Sequence, residues 1–156
     1  MTKDLKPGDR APAFRLPTDG GDEISSAALK GKPYVLYFYP KDNTSGCTKE
    51  AVAFSEAKRK FAALGVEIIG VSKDSVDSHG KFRKKYDLKI TLGSDAELKA
   101  ASSYGVWIEK SLYGRKYMGM DRATFLVDGK GVIRGVWRKV KVPGHVEAVL
   151  SAAKSL

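Results

Sequence analysis

The chain of 156 residues has a single cysteine, and that scarcity excludes an internal disulfide and a cysteine-only metal site. Stability must come from a packed core, and the length is enough to bury one. Long hydrophobic runs are missing too: the most apolar stretch, Tyr34 to Tyr39, is far too short to cross a bilayer. Met1-Thr2-Lys3-Asp4-Leu5-Lys6-Pro7 has no apolar segment of the secretory kind, so the expected compartment is the reducing cytoplasm, with no membrane association. Acidic residues are outnumbered, 18 against 28 lysines and arginines, for a formal net charge of +10. Such a surplus can steer anions or nucleic acid to a surface. The cations are scattered, however, and groups such as Lys58-Arg59-Lys60 and Arg83-Lys84-Lys85 fall on amphipathic helices, where a solvated basic face is the expected role. Nucleic-acid binding is therefore not the expected function. At 42% hydrophobic and 29% charged residues, the composition is that of a globular chain rather than a disordered one.

What is present is an alternation of strand and helix patterns. Phe14-Arg15-Leu16 and Glu23-Ile24 flank Thr18-Asp19-Gly20-Gly21-Asp22, which predicts an amino-terminal hairpin. Tyr34 to Tyr39 is almost continuously apolar and β-prone, as expected of a central strand covered on both faces, and Pro40 ends it. From Cys47 the positions Ala51, Phe54, Ala57, Phe61 and Leu64 define one helical face, with Gly65 as the stop. Val66 to Ser72 is a second buried-strand pattern, so residues 34 to 72 are expected to form a βαβ unit with two parallel strands. Asp74 or Ser75 is placed to cap a helix running to about Tyr86, with His79, Phe82 and Tyr86 on one side. A short strand near Ile90 to Leu92 and a helix from about Ala96 to Tyr104 follow. Gly105 to Met120 has no clear period and is expected to be irregular; its aromatics either line a pocket or fill core. Ala123 to Val127 and Val132 to Trp137 are strands joined by Asp128-Gly129-Lys130-Gly131, a hairpin signal. Val146, Val149, Leu150 and Ala153 mark a last amphipathic helix. No repeat, low-complexity stretch or linker divides the chain, so 1–156 is expected to be one domain.

Cys47 sits where the first buried strand has stopped and a helix starts. A thiol in a helix's first turn meets unpaired N–H groups and the positive end of the dipole, both of which favour an anion. The thiolate is the reactive form, and an ordinary cysteine is only about 3% thiolate at neutral pH. A helix end contributes about 0.3–1 kcal/mol, up to about 2 in favourable buried geometry, so a further cation is needed.

The spacing Pro40-x-x-x-Thr44-x-x-Cys47 resembles the peroxide-reducing motif of peroxiredoxins. The flanking Phe38-Tyr39-Pro40-Lys41-Asp42 and Cys47-Thr48-Lys49-Glu50 resemble the bacterioferritin-comigratory, or Q-type, branch. Asp121-Arg122-Ala123-Thr124-Phe125-Leu126-Val127-Asp128 is similar to the family's arginine-bearing strand, and Trp137 to His145 to its carboxy-terminal signature. The resemblance implies an α/β fold, a thioredoxin-like sandwich with a central mixed β-sheet, an amino-terminal hairpin and flanking helices. It implies a thiol-dependent peroxidase that reduces hydrogen peroxide and organic hydroperoxides through a Cys47 sulfenic acid, with neither cofactor nor metal. Arg122 would then favour the thiolate and donate to peroxide oxygens; read by itself, an arginine before a strand is a surface residue. Thr44 and the backbone N–H groups near Gly46 and Cys47 would be further donors, although Thr44 also suits a helix cap. Pro40 would shape the loop and shield the sulfur. Glu50 either orients Arg122 or is an exposed first-turn glutamate. His79 and His145 lack the local context of a base for Cys47 and are not assigned to catalysis.

Many relatives carry a second, resolving cysteine five residues after the first or in a following helix, but the corresponding positions here read Val52 and Phe82-Arg83-Lys84. A one-cysteine cycle is therefore expected, completed by an external thiol such as thioredoxin, glutaredoxin or a low-molecular-weight thiol, in a monomer or weak dimer. A Cys47–Cys47 link between chains stays open. The alternative is a thioredoxin-like redox sensor or binding module without efficient turnover.

Overall fold

The computed structural model describes residues 4–156; Met1 to Lys3, part of the segment read for a secretory signal, lie outside the described residues. Two short strands, β1 (Arg15–Pro17) and β2 (Glu23–Ser25), form the expected amino-terminal hairpin, pairing antiparallel with Leu16 opposite Ile24. The chain continues through β3 (Tyr34–Phe38), α1 (Ser45–Glu56), α2 (Lys58–Ala63), β4 (Glu67–Ser72), α3 (Val76–Tyr86), β5 (Thr91–Ser94) and α4 (Lys99–Ser103). It ends with β6 (Trp107–Leu112), β7 (Arg115–Met120), β8 (Ala123–Val127), β9 (Ile133–Trp137) and α5 (His145–Ala153).

The main sheet has the order β5-β4-β3-β8-β9. β3, β4 and β5 run parallel, and β8 and β9 are antiparallel to their neighbours, which makes the sheet mixed. All five residues of β3 are buried because both faces are covered. The period of two divides them: Tyr34, Leu36 and Phe38 join a core with Phe14, Leu29, Tyr104 and Phe125. Val35 and Tyr37 face a second core with Phe54 and Phe61, Phe82 of α3 and Val149 of α5. Tyr37 stacks on Phe54, ring centroids 4.6 Å apart, and its ring lies over Gly70, its register partner in β4. A Cβ on Gly70 would come within 2.7 Å of the tyrosine ring, so glycine is required there for the strand and ring to pack.

Several boundaries differ from the sequence-based expectation. The helix from Cys47 to Leu64 starts at Ser45 and breaks at Ala57, which closes α1 and opens α2. The buried face still runs across the break through Phe54 and Phe61, whereas Leu64 is exposed and Gly65, at φ +73°, stops the helix. Ser75 caps α3 by accepting from the Ser78 amide. The fifth strand begins one residue after Ile90, and α4 is shorter than expected at both ends.

Gly105 to Met120 is not irregular. β6 and β7 pair over six residues each as a separate ribbon, from Trp107 opposite Met120 to Leu112 opposite Arg115. The turn is Tyr113-Gly114, both with positive φ, as a two-residue hairpin of the I′ kind demands. Only Met120 of the twelve strand residues is buried, so the alternation that betrays a half-buried strand is missing. Nor do its tyrosines fill core: Tyr113 is 98% and Tyr117 47% exposed. Among the described residues, no helix is long and apolar enough to cross a membrane.

Candidate active site

β3 delivers the chain to Tyr39 and half-buried Pro40 at one end of the main sheet, and the loop to Thr44 turns it into α1 through Asn43 at φ +61°. Cys47 is the third residue of α1, within the turn whose N–H groups have no helical acceptor. Arg122 comes from the opposite direction, immediately before β8, whose Ala123 stands opposite Phe38 of β3. The antiparallel β3–β8 register is thus what carries residue 122 to residue 47.

The guanidinium donates through Nη2 to Cys47 Sγ at 3.3 Å and through Nη1 to Glu50 Oε1 at 2.8 Å. Glu50, one turn after Cys47, is 0% exposed, which corrects the reading of a solvated first-turn glutamate. Its other oxygen, Oε2, has no hydrogen-bond partner, and the buried Tyr37 hydroxyl has none either. Burial pushes the Glu50 carboxyl up to about 7 against the pull of Arg122, so its charge changes near neutrality. The Arg122 guanidinium is held above its usual range: burial works against the charge, and Glu50 and Cys47 outweigh it. Burial also raises the Tyr37 phenol well above its ordinary value, with Glu50 and Cys47 adding to the effect.

Gly46 leaves room for the approach: a Cβ there would lie 3.1 Å from Arg122 Nη2, so the guanidinium would have to shift by a few tenths of an ångström. Beside it a groove of about 540 Å³ runs between the start of α1 and the start of α5, lined by Gly46, Lys49, Ala53, Val142, Pro143 and Val146 among others. Thr44 precedes the helix in an extended conformation but caps nothing with its side chain; its hydroxyl donates to Lys41 O at 2.9 Å and is exposed.

The loop itself is fastened by a residue to which the sequence analysis gave no role. Asp42, buried, accepts from the Tyr39 hydroxyl at 2.6 Å and from Ser78 Oγ at 2.7 Å, and its Oδ2 lies 2.7 Å from His79 Nδ1. Burial opposes the Asp42 charge, but the bonds from His79, Tyr39 and Ser78 outweigh it and hold the carboxyl below its usual range. The other His79 ring nitrogen faces Gly93 O at 3.2 Å, while Asp42 N donates to Asp74 at 2.8 Å. His79 is therefore a buried tie between loop and α3. No local spacing announces it, because its partner lies 37 residues away.

His145 Nε2 pairs with Thr124 Oγ1 at 2.8 Å, its ring edge-on to Phe54. Burial and the positive charge of Arg122 push it down to about 4, so it is a neutral imidazole at pH 7. His79 thus directs both ring nitrogens, and His145 its Nε2, to groups other than Cys47. Among the described residues, no group of three or more His, Cys, Asp or Glu side chains is placed to hold a metal ion.

Comparison with known proteins gives consistent results. A family model described as AhpC/TSA family matches residues 7–136. The chain is 49% identical over 146 residues to a putative peroxiredoxin Bcp of Coxiella burnetii, covering 94% of this chain and 97% of the relative. It is 46% identical over 149 residues to peroxiredoxin Bcp of Bacillus subtilis, covering 96% and 95%. A crystal structure of a Xylella fastidiosa PrxQ mutant superposes with a TM-score of 0.92 at 34% identity, over 98% of each chain. The bacterioferritin comigratory protein of Xanthomonas campestris, studied as a trapped intermediate/ligand complex for its alkyl peroxide reduction activity, gives 0.87 at 40% identity over 91% of this chain and 90% of the other. The thioredoxin-like sandwich, the lone cysteine beside an arginine and these matches along nearly the whole chain lead to one assignment: the protein belongs to the AhpC/TSA family, as a peroxiredoxin of the Bcp, or Q-type, branch without a resolving cysteine.

Proposed function

We propose that the protein is a thiol-dependent peroxidase in which Cys47 reduces hydrogen peroxide and organic hydroperoxides and an external thiol restores it. The observation that carries this reading is the Arg122 guanidinium, bonded to the sulfur at 3.3 Å and braced by Glu50 at 2.8 Å. Thiolate attack on the nearer peroxide oxygen forms an S–O bond and breaks the O–O bond. Cys47 becomes a sulfenic acid, and the departing alkoxide or hydroxide takes a proton to leave as alcohol or water.

Ionising a thiol that is about 3% thiolate raises the reactive fraction only about thirtyfold, so most of the acceleration must come from orientation and from charge stabilisation as the O–O bond breaks. Arg122 and the first-turn N–H groups at Gly46 and Cys47 are the donors for that charge. Thr44 gives its proton to Lys41 O, so towards a hydroperoxide its hydroxyl would serve as an acceptor rather than as the expected donor. Pro40 shields the sulfur at the strand exit. Cys47 is only 1% exposed, so an outside thiol requires the first turn of α1 to swing outward.

That thiol attacks the sulfenic sulfur, an S–S bond forms and water leaves. A second thiol releases Cys47 and departs as the oxidised product. Thioredoxin, glutaredoxin or a low-molecular-weight thiol would serve, in a cytoplasmic, reducing setting, with residues 1–156 acting as one catalytic unit, monomeric or weakly dimeric. Cys47→Ser should abolish dithiothreitol-supported peroxide consumption, and one equivalent of peroxide should give a sulfenic acid or mixed adduct at Cys47 by mass spectrometry. Parental consumption by Cys47→Ser would sink the proposal; stoichiometric oxidation of the parent without turnover would identify a sensor instead.

A further inference from the structure

The described residues leave seven large hydrophobic side chains exposed, and four of them, Leu112, Tyr113, Tyr117 and Met118, lie on the β6–β7 hairpin. Such a concentration on one projecting element is not the scatter of single apolar residues ordinary on a protein surface. Residues directly opposite each other in the ribbon share a face. One face takes Trp107 and Met120 into the core at the base and bears Glu109, 3.8 Å from Lys116. The other takes Ile108, Lys110 and Leu112 from β6, with Arg115, Tyr117 and Gly119 opposite them. This outward face has two cations, three large apolar side chains (Ile108, Leu112 and Tyr117) and no carboxylate, and Tyr113 extends it at the tip; Met118, opposite Glu109, lies on the other face.

Its position is as informative as its chemistry. The hairpin closes on the Asp121 N–H to Val106 O bond, 2.7 Å, and the next residue is Arg122. Lys73, just past the end of β4, lies over Trp107. The hairpin therefore stands at the end of the sheet that holds Cys47. Six-residue strands reach about 20 Å, and a protein partner's footprint of about 800 Å² spans about 30 Å, so a partner seated on the ribbon also covers its base. Tyrosine and arginine are the side chains that most often dominate such contacts.

The chain has no second cysteine with which to resolve an oxidised Cys47. We propose that the outward face of the hairpin, Lys110, Leu112, Tyr113, Arg115 and Tyr117, docks an acidic protein dithiol that reduces oxidised Cys47. This rests on the peroxidase reading and adds the partner's class and its landing surface. One partner thiolate attacks the sulfenic sulfur, forming S–S and breaking S–O, and the departing hydroxide takes up a proton to leave as water; its second thiol displaces Cys47 as a thiolate and leaves the partner as a disulfide. The face's unopposed cations match an acidic surface, and its apolar side chains supply the desolvated centre.

The test is steady-state peroxide reduction by the parent and by an Arg115→Glu/Tyr117→Ser variant, each with an acidic thioredoxin and, separately, with dithiothreitol. The KM for thioredoxin should rise about tenfold or more in the variant, a loss of about 1.4 kcal/mol in binding, while the dithiothreitol rate stays the same. Added salt should raise the parent's KM for thioredoxin and leave that of the variant little changed. An unchanged KM, an equal loss with both reductants, or a parent that uses dithiothreitol but not thioredoxin overturns the docking proposal alone. So does sedimentation showing that the substitutions only dissolve a dimer, which would make a second copy the occupant. Failure of the parent with dithiothreitol removes the peroxidase reading and the docking proposal with it.

Discussion

Glu50 places one carboxylate oxygen on Arg122 and leaves the other without a partner in a fully buried setting. Its charge therefore changes near pH 7, in contact with the cation that touches the sulfur. The second-order rate of Cys47 oxidation by peroxide should show an inflection near that pH in the parent and none in Glu50→Gln. The glutamine keeps an acceptor for Nη1, so its rate should fall less than about tenfold; Glu50→Leu frees the guanidinium and should cost about 10- to 100-fold. Stopped-flow rates across pH separate these outcomes. Tyr37 gives the opposite kind of case. Its hydroxyl is buried without a hydrogen bond while its ring stacks on Phe54, so Tyr37→Phe keeps the stacking and removes an unsatisfied polar group. Chemical denaturation should find that variant more stable than the parent by about 1 kcal/mol.

At the scale of elements, the site is held in place by contacts that its own motif does not contain. The loop from Pro40 to Thr44 is tied to α3 by the Asp42–His79 contact, by Ser78, and by Lys85 and Tyr86, which both donate to Asn43. His79→Leu leaves the Asp42 charge buried with fewer donors and should cost about 3 kcal/mol of stability. Where the protein remains folded, peroxide oxidation of Cys47 should slow by about tenfold or more, because the loop that carries Thr44 loses its anchor. Stability and stopped-flow measurements on the same preparation check both. These contacts also mark the limit of what the sequence makes legible. Buried strands such as β3, β4 and β8 announce themselves by apolar runs, and helix limits by Gly65 and Ser75, since those signals are local. Cys47 and its helix are legible for the same reason, and Arg122 through its family motif. The burial of Glu50, the tie from His79 to Asp42 and the orphaned Tyr37 hydroxyl depend on chain segments that only the sheet register brings together. The β6–β7 ribbon fails to register for another reason: with so little of it buried, hydrophobic periodicity has nothing to report.

For the molecule as a whole, two buried groups within reach of Arg122 titrate in opposite senses. His145 is held down to about 4 from an ordinary 6.5, so between those values the unfolded chain binds more protons and stability rises with pH. Glu50 is held up to about 7 from an ordinary 4.5, so across that interval the folded chain binds more protons and stability falls as pH rises. The two windows overlap from 4.5 to 6.5, where the slopes oppose each other. The parent's stability should therefore vary little with pH in that range. Glu50→Gln removes the falling contribution, and its stability should climb with pH across the window; His145→Asn removes the rising one, and its stability should decline. Each slope is bounded by the one-proton limit of about 1.4 kcal/mol per pH unit. Denaturation midpoints taken at several pH values across the overlap decide it: parallel curves for parent and both variants would show that neither group titrates as its surroundings require, and would remove the argument that Glu50 changes charge beside Arg122 near neutrality.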